Sequence, residues 1–373
     1  MNKATGLPSR PRILLIRLSA IGDVLHATSV AHNLKLFLPN AHLAWLCSPP
    51  ADDLLRGNPD VDEILSWDRR EFDAAISEHK FGKAFNSLRE ARRLLREHGP
   101  FDVVLDIQGL FLTGILSLLT GCKRRIGIHE RHEGNPLFMT EMAPDIADPH
   151  KIRRYLTALM SLGWQQEGFV PGTVLALDAG WESYAHGFWK EHGTDPQKPI
   201  LMVNIRTTWP DKHLTPRAFG QLLARTDMPE DLQLIFPGSP ADKSYIEETF
   251  SYLKENAPEK FSQAICIAGE TTLRELAALI KSATLFLTCD TGPLYIAEAV
   301  GTPTFSLWGP TLPAIYGPLT SGHRFYISPH ECKACCKTKC PKGNACMEAI
   351  QPEAAARELT KVLAEILLKR KNS

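Results

Sequence analysis

Asp290-Thr291-Gly292-Pro293-Leu294-Tyr295 follows directly on the apolar run Ala283-Thr284-Leu285-Phe286-Leu287-Thr288-Cys289. The run reads as a buried strand, and the proline marks the first turn of a helix. A strand that ends in Asp-Thr-Gly and turns straight into a helix leaves unpaired backbone N–H groups aimed at one spot. Such a spot suits a phosphate group.

Working outward, residues 200–205, Gln233–Phe236, 264–267, 285–288 and 304–307 form a series of short apolar strands. Between them Thr215-Pro216 and Thr271-Thr272-Leu273-Arg274-Glu275 carry N-cap, first-turn proline and capping-box signals for helices. A second series lies upstream. Ile13-Leu14-Leu15-Ile16 predicts a strand and residues 24–37 a helix stopped by Pro39-Asn40, followed by strands at His42–Cys47, Glu63–Ser66, Val103–Asp106 and Arg125–Gly127 and a helix over 81–98. Strands alternating with helices predict an open parallel sheet in each half. The expected division is 1–190 and 191–351, with a terminal helix over 352–373 that packs back on the first domain and a linker near 193–199. Two such domains in tandem put their carboxyl strand ends at an interdomain cleft.

Composition narrows the function. A chain of 373 residues with 44% hydrophobic content exceeds what one core holds efficiently. Lys+Arg and Asp+Glu both number 42, so no strong field attracts nucleic acid. Residues 110–120 are too few to span a bilayer, and the apolar run near the amino terminus is broken by Arg17 and Asp23, unlike a secretory signal. A cytoplasmic enzyme is expected. Neither half shows G-x-G-x-x-G after its first strand, which disfavours a dinucleotide oxidoreductase.

Several side chains fall at expected strand ends. Asp23, in Ser19-Ala20-Ile21-Gly22-Asp23-Val24-Leu25-His26, is either a helix-start carboxylate or a general base for a hydroxyl nucleophile. Arg17 pairs with Asp23 or with an anionic acceptor. Asp106 and Gln108 either bind acceptor hydroxyls or satisfy their own turn. Arg124, Arg125, His129, Arg131 and His132 form a local basic cluster, suited to an anionic acceptor or to a solvated loop. Thr207, Thr208 and Lys212 offer donors and a positive charge to a diphosphate leaving group. Asp242, after Pro237-Gly238-Ser239, suits ribose hydroxyls. Asp290 suits loop N–H groups or a sugar hydroxyl, and Gly292 lets a backbone approach closely.

Cys332, Cys335, Cys336, Cys340 and Cys346 crowd one segment with C-x-x-C and C-x-x-x-C spacings. Thiolate metal ligation is one reading, disfavoured by the lack of a second paired knuckle at the usual distance. A loop staple or unligated thiols is the other. No metal and no cofactor are expected.

The ordered motifs together, from Ser-x-x-Gly-Asp-x-Leu-His at 19–26 through Asp106-Ile107-Gln108-Gly109, Thr207-Thr208-x-x-x-Lys212 and Asp290-x-Gly292 to the strand and loop at 304–311, resemble glycosyltransferase family nine, the lipopolysaccharide heptosyltransferases. The resemblance implies an α/β GT-B fold, two Rossmann-like doubly wound domains facing across a cleft. It implies an inverting, metal-independent transfer of heptose from ADP-heptose to the lipid A–core acceptor, with Asp23 as base. Thr207, Thr208, Lys212, Asp242, Asp290, Thr291, Gly292 and residue 295 fall on the donor side, and Arg17, Asp106, Gln108, His129 and Arg131 on the acceptor side. The implied place is the cytoplasmic face of the inner membrane, with no nucleic acid; Lys80, Lys83, Arg89, Arg92, Arg93 and Arg96 give the helix over 81–98 a basic side that either makes peripheral contact with anionic headgroups or is a solvated face. Tyr295 departs from the family's histidine and cannot carry positive charge. A sugar-nucleotide epimerase and a non-catalytic nucleotide-sugar-binding protein stand as alternatives.

Overall fold

The computed structural model describes residues 6–130, 133–332, 335–337 and 340–371. Strand β1 (Arg12–Ile16) is apolar on both faces, and Ile13 to Ile16 have no exposed surface. A strand of that composition is stable only between two other strands with helices over both faces. It lies in a sheet of order β3-β2-β1-β4-β5-β6, with β2 His42–Cys47, β3 Glu63–Ser66, β4 Val103–Asp106, β5 Arg125–Gly127 and β6 Glu141–Met142. Every pairing is parallel. Helices α1 (Ile21–Phe37), α2 (Arg69–Ser77), α3 (Phe81–Glu97), α4 (Phe111–Leu119) and α5 (Lys151–Met160) complete this unit, which ends at Ala176.

The second unit, Leu177–Ser373, starts with α6 (Trp181–Glu191). Its sheet runs β12-β11-β10-β7-β8-β9, again wholly parallel. In chain order these are β7 Ile200–Val203, β8 Gln233–Phe236, β9 Ala264–Cys266, β10 Leu285–Cys289, β11 Thr304–Trp308 and β12 His323–Ile327. Helices α7 (Pro216–Arg225), α8 (Lys243–Asn256), α9 (Pro258–Phe261), α10 (Leu273–Ser282), α11 (Gly292–Val300), α12 (Pro313–Tyr316), α13 (Ala345–Glu348) and α14 (Pro352–Lys371) accompany it. Each unit has its own apolar core, one around Leu14, Ile16, Leu46 and Val104, the other around Leu201, Phe219, Leu234 and Leu287.

Two boundaries differ from the sequence expectation. The stretch at 193–199 is not a linker, because Trp189 of α6 is fully buried in the second unit and donates its indole N–H to Ser282 Oγ of α10 at 2.9 Å. Helix α14 is part of the second unit. It packs on α7, and Ala355, Leu359 and Leu363 join the second core. Strands β6 and β12 went unpredicted, since β6 has two residues and β12 is an edge strand interrupted by His323 and Arg324.

In each sheet the winding reverses once, between β1 and β4 in the first and between β7 and β10 in the second. The loops leaving those strands splay apart at the carboxyl edge, where open α/β sheets bind ligands.

Candidate functional site

The first switch point is built by the loop after β1. Asp23 lies in the first turn of α1, where a carboxylate complements the helix macrodipole. Arg17 Nη2 meets Asp23 Oδ2 at 2.5 Å, Lys151 Nζ lies 3.4 Å from Oδ1, and the Tyr155 hydroxyl donates to Oδ1 at 3.0 Å. Tyr155 is also the floor for both cations, with its ring centroid 5.0 Å from the Arg17 guanidinium and 5.7 Å from Lys151 Nζ. Burial disfavours the ionised carboxyl, but Arg17, Lys151 and His26 together with the tyrosine hydrogen bond outweigh it and hold Asp23 far below the usual aspartate range. Its side chain keeps 21% exposure. Asp23 is thus a solvent-reaching carboxylate that stays ionised and is rigidly aimed.

Glu130 extends the network, meeting Lys151 at 3.7 Å and Arg154 Nε at 2.8 Å. The loop after β4 is pressed against it. Gly109 has φ +73° and a Cβ there would lie 2.6 Å from the Glu130 carbonyl, so only glycine fits.

The remaining acceptor-side residues each show one of their two expected roles, Arg17 as the partner of Asp23 and Asp106 as the acceptor of its own turn. Arg17 is buried and bound to Asp23 at 2.5 Å and to the Ile107 carbonyl at 3.1 Å, so it is a partner of the carboxylate. Asp106 is fully buried. Its oxygens accept from the backbone of Gln108 and Gly109 at 3.0 and 3.2 Å and from Asn135 Nδ2 at 2.7 Å, and burial pushes its carboxyl up. Gln108 Oε1 accepts from the Leu18 N–H at 2.9 Å and so ties the β4 loop to the β1 loop. Both shape the switch point from below. His129 is half-buried and its carbonyl accepts from Arg154. Arg131 and His132 lie outside the described residues.

The second switch point joins the loops after β7 and β10. Asn204 Nδ2 donates to Thr288 Oγ1 at 3.1 Å, locking the two strand ends together. Lys212 Nζ meets Asp290 Oδ2 at 2.6 Å, the Thr311 hydroxyl donates to the same oxygen at 2.6 Å, and the Tyr295 hydroxyl donates to Oδ1 at 2.6 Å. The Lys212 ammonium also lies 4.3 Å from the Trp209 ring centroid, a cation–π contact that holds it over the loop. Thr291 is the extended N-cap of α11 and Gly292 its first residue, both half-buried, with Pro293 in the first turn. A lysine beside a helix N-terminus of this kind is an anion site in chemical terms.

Four donor-side residues are already bonded within the protein. Asp290 accepts from an ammonium and two hydroxyls, not from loop N–H groups. Tyr295 is buried and directs its single hydroxyl proton at Asp290, so it supports that carboxylate and has none left for a phosphate. Thr207 is buried too, donating to the Trp209 carbonyl at 2.6 Å, while its own N–H goes to His213 Nδ1 at 3.2 Å. His213 can accept because burial, reinforced by Arg206, lowers its pKa to about 4 and keeps it neutral. Asp242 pairs with Arg206 at 3.0 Å and accepts from Ser239 N–H and Oγ, both at 2.8 Å, closing a capping box. Thr208 stays exposed.

The cysteine segment lies against this site. The Cys340 N–H donates to Asp211, the Cys336 N–H to the Pro310 carbonyl at 3.1 Å, and the Tyr316 hydroxyl to Cys336 Sγ at 3.7 Å. All nine cysteines are free thiols. Among the described residues no three His, Cys, Asp or Glu side chains converge as a metal site.

Sequence reading missed Lys151, Tyr155 and Glu130. A lysine and a tyrosine one turn apart on the α5 face that otherwise buries Ile152, Leu156 and Leu159 were the available signal.

Two six-stranded, doubly wound parallel sheets in tandem, each with a polar loop cluster at its switch point, define the GT-B class of glycosyltransferase folds. The chain belongs to glycosyltransferase family 9 (heptosyltransferase), whose model matches residues 88–346, more than half its length. It is similar to the lipopolysaccharide core heptosyltransferase OpsX of Haemophilus influenzae, 25% identical over 299 residues that cover 79% of this chain and 78% of the relative. Among solved structures it resembles a family 9 glycosyltransferase of Veillonella parvula, with TM-score 0.79 and 21% identity over 95% of this chain and 98% of the other. It also resembles the ADP-heptose LPS heptosyltransferase II of E. coli, with TM-score 0.74 and 20% identity over 95% and 99%. The resemblance read from the motifs therefore holds for family and fold.

Proposed function

We propose that this heptosyltransferase moves heptose from ADP-heptose to the inner core of lipopolysaccharide by a single inverting displacement without a metal ion. The observation that carries the proposal is Asp23, a partly exposed carboxylate clamped by Arg17, Lys151 and Tyr155 at the carboxyl edge of the first sheet.

The acceptor hydroxyl hydrogen-bonds to Asp23 and attacks the anomeric carbon. Such a hydroxyl turns strongly acidic as its new C–O bond forms. A carboxylate whose basicity is depressed by two cations therefore still takes the proton, late in the step, while staying ionised and positioned beforehand. The role of base rather than nucleophile is what makes the transfer inverting. On the leaving side Lys212 and the first turn of α11 take up the negative charge of departing ADP. Lys212 already has a counter-ion in Asp290, so the diphosphate joins an existing ion pair whose ammonium remains aimed by Trp209. Thr208 and Thr291 supply hydroxyls, and Tyr295 with Thr311 keeps Asp290 in place.

The deciding experiment mixes purified protein, ADP-heptose and truncated lipopolysaccharide cores and identifies products by mass spectrometry. A core heavier by one heptose, with ADP released, is expected from the wild type, and Asp23→Ala should give none while still binding ADP. Conversion of the donor with no acceptor present would indicate an epimerase instead, and ADP binding without any transfer would indicate a non-catalytic binder.

A further inference from the structure

The loop after β7 carries two cations, Arg206 and Lys212. Lys212 turns toward β10, where it meets Asp290. Arg206 turns the other way, toward β8, and its Nη1 donates to the Ala241 carbonyl at 2.8 Å and to Asp242 Oδ1 at 3.0 Å. Strands β10 and β8 flank β7, about 10 Å apart at the usual strand spacing. One loop thus presents a cation to each side of the switch point.

A solvent-reaching arginine–aspartate pair is common and contributes little by itself. Arg206 is fixed by further contacts. Its backbone carbonyl accepts from Asn204 Nδ2 at 3.1 Å, and Asn204 in turn holds Thr288 of β10. Its guanidinium lies 5.8 Å from the Tyr245 ring centroid, and that ring is itself set by the hydroxyl on the Leu214 carbonyl and by His213 edge-on at 5.3 Å. Both hydrogens of Nη1 are engaged. Among the described residues Nε and Nη2 make no hydrogen bond or ion pair, and the side chain keeps 39% exposure. The unclaimed edge, Nε with Nη2, is a side of the guanidinium whose two parallel N–H groups match two oxygens of one phosphate. A fork pinned at one end, at the carboxyl edge of the sheet, is pre-organised for such an anion.

We propose that Arg206 binds the α-phosphate of the donor through Nε and Nη2, while Lys212 and the first turn of α11 take the sugar-bearing β-phosphate. The inference rests on the reading of the donor as a nucleoside diphosphate sugar. In that reading the leaving charge develops beside Lys212, and the other phosphate, one bridging oxygen nearer the ribose, falls on the β8 side where Arg206 lies. The two cations then do different work. The bond that breaks joins the anomeric carbon to a β-phosphate oxygen, and the electron pair stays on that oxygen. The β-phosphate therefore gains a negative charge in the step, whereas the α-phosphate keeps the charge it had. A contact to the α-phosphate holds ground state and transition state equally, so it lowers KM and leaves kcat to others.

The test is calorimetry of the full chain with ADP, AMP and adenosine, followed by transfer kinetics. Arg206→Gln should raise the dissociation constants of ADP and AMP alike, each about tenfold, and leave adenosine near wild type. Arg206→Lys keeps the charge but has no fork, and should recover only part of the loss. Lys212→Met should weaken ADP and change AMP much less. With ADP-heptose, Arg206→Gln should raise KM by a similar factor with kcat little changed, whereas Lys212→Met should lower kcat as well. Arg206→Gln that spares AMP, that weakens ADP alone, or that weakens adenosine equally would overturn the proposal, and so would full recovery in Arg206→Lys. The expected losses for ADP and AMP in a protein that transfers no heptose would leave the α-phosphate contact standing and remove the transfer reading. Heptose transfer with an unmoved KM in Arg206→Gln would do the reverse.

Discussion

Asp23 is surrounded by groups that favour its anion, and this sets a pH dependence with a definite sign. A depressed carboxyl pKa means that the native contacts of Asp23 add stability above the ordinary aspartate value near 4 and lose it only as pH falls through the much lower folded value. Activity that depends on the anion should follow the same course. The wild-type kcat/KM should show no acid limb from Asp23 down to about pH 4. Lys151→Met or Tyr155→Phe removes one stabilising partner, so a limb should emerge and move upward in pH, which a kcat/KM profile would detect. A profile unchanged in both variants would mean that neither side chain acts through Asp23. Asp23→Asn should lower kcat by about 10²- to 10⁴-fold, the usual worth of a general base. It also leaves the buried Arg17 without its counter-ion, so a lower melting midpoint should accompany the loss of rate.

At the scale of elements, the loop from β10 into α11 carries the donor chemistry and α14 carries stability. Lys212→Met removes the ammonium and leaves Asp290 with two hydroxyl partners. Charged hydrogen bonds are worth about 1.5–3 kcal/mol, so the ADP dissociation constant should rise roughly tenfold or more by calorimetry. Tyr295→Phe deletes a support of Asp290 and not a phosphate contact, so its effect on ADP affinity should be smaller than that of Lys212→Met. An equal or larger effect would restore Tyr295 to the donor contacts. Leu359→Ala on α14 opens a cavity in the second core and should cost about 2–5 kcal/mol by denaturant titration, with ADP affinity unchanged under native conditions.

The whole molecule consists of two units with separate cores, divided between Ala176 and Leu177. A fragment of residues 177–373 includes α6, the complete second sheet and α14, so it should fold alone and bind ADP. The same fragment started at residue 191 lacks α6 and with it the buried Trp189, and should be markedly less stable. Circular dichroism and calorimetry on the two fragments distinguish these outcomes.

Much of this plan was legible in the chain itself. Apolar runs such as Ile13-Leu14-Leu15-Ile16 and Leu285-Phe286-Leu287 determine buried parallel strands, because no other placement covers both of their faces. The loops that follow them, with Asp23, Lys212 and Asp290, could be placed at sheet edges for the same reason. Local sequence does not say which neighbour a polar atom will find. Thr207, Asp242 and Tyr295 had the chemistry of donor contacts, and only the folded loops turned their hydroxyls and carboxylate inward. Lys151 and Tyr155 come from a helix 128 and 132 positions beyond Asp23, and their proximity to it exists only once α5 packs against α1. The sequence by itself determined the strand-and-helix order and the sites where chemistry gathers, since these depend on periodicity and turn residues. The tertiary structure decided which groups remain available to a ligand, because hydrogen-bond partners and burial are set by contacts between distant segments.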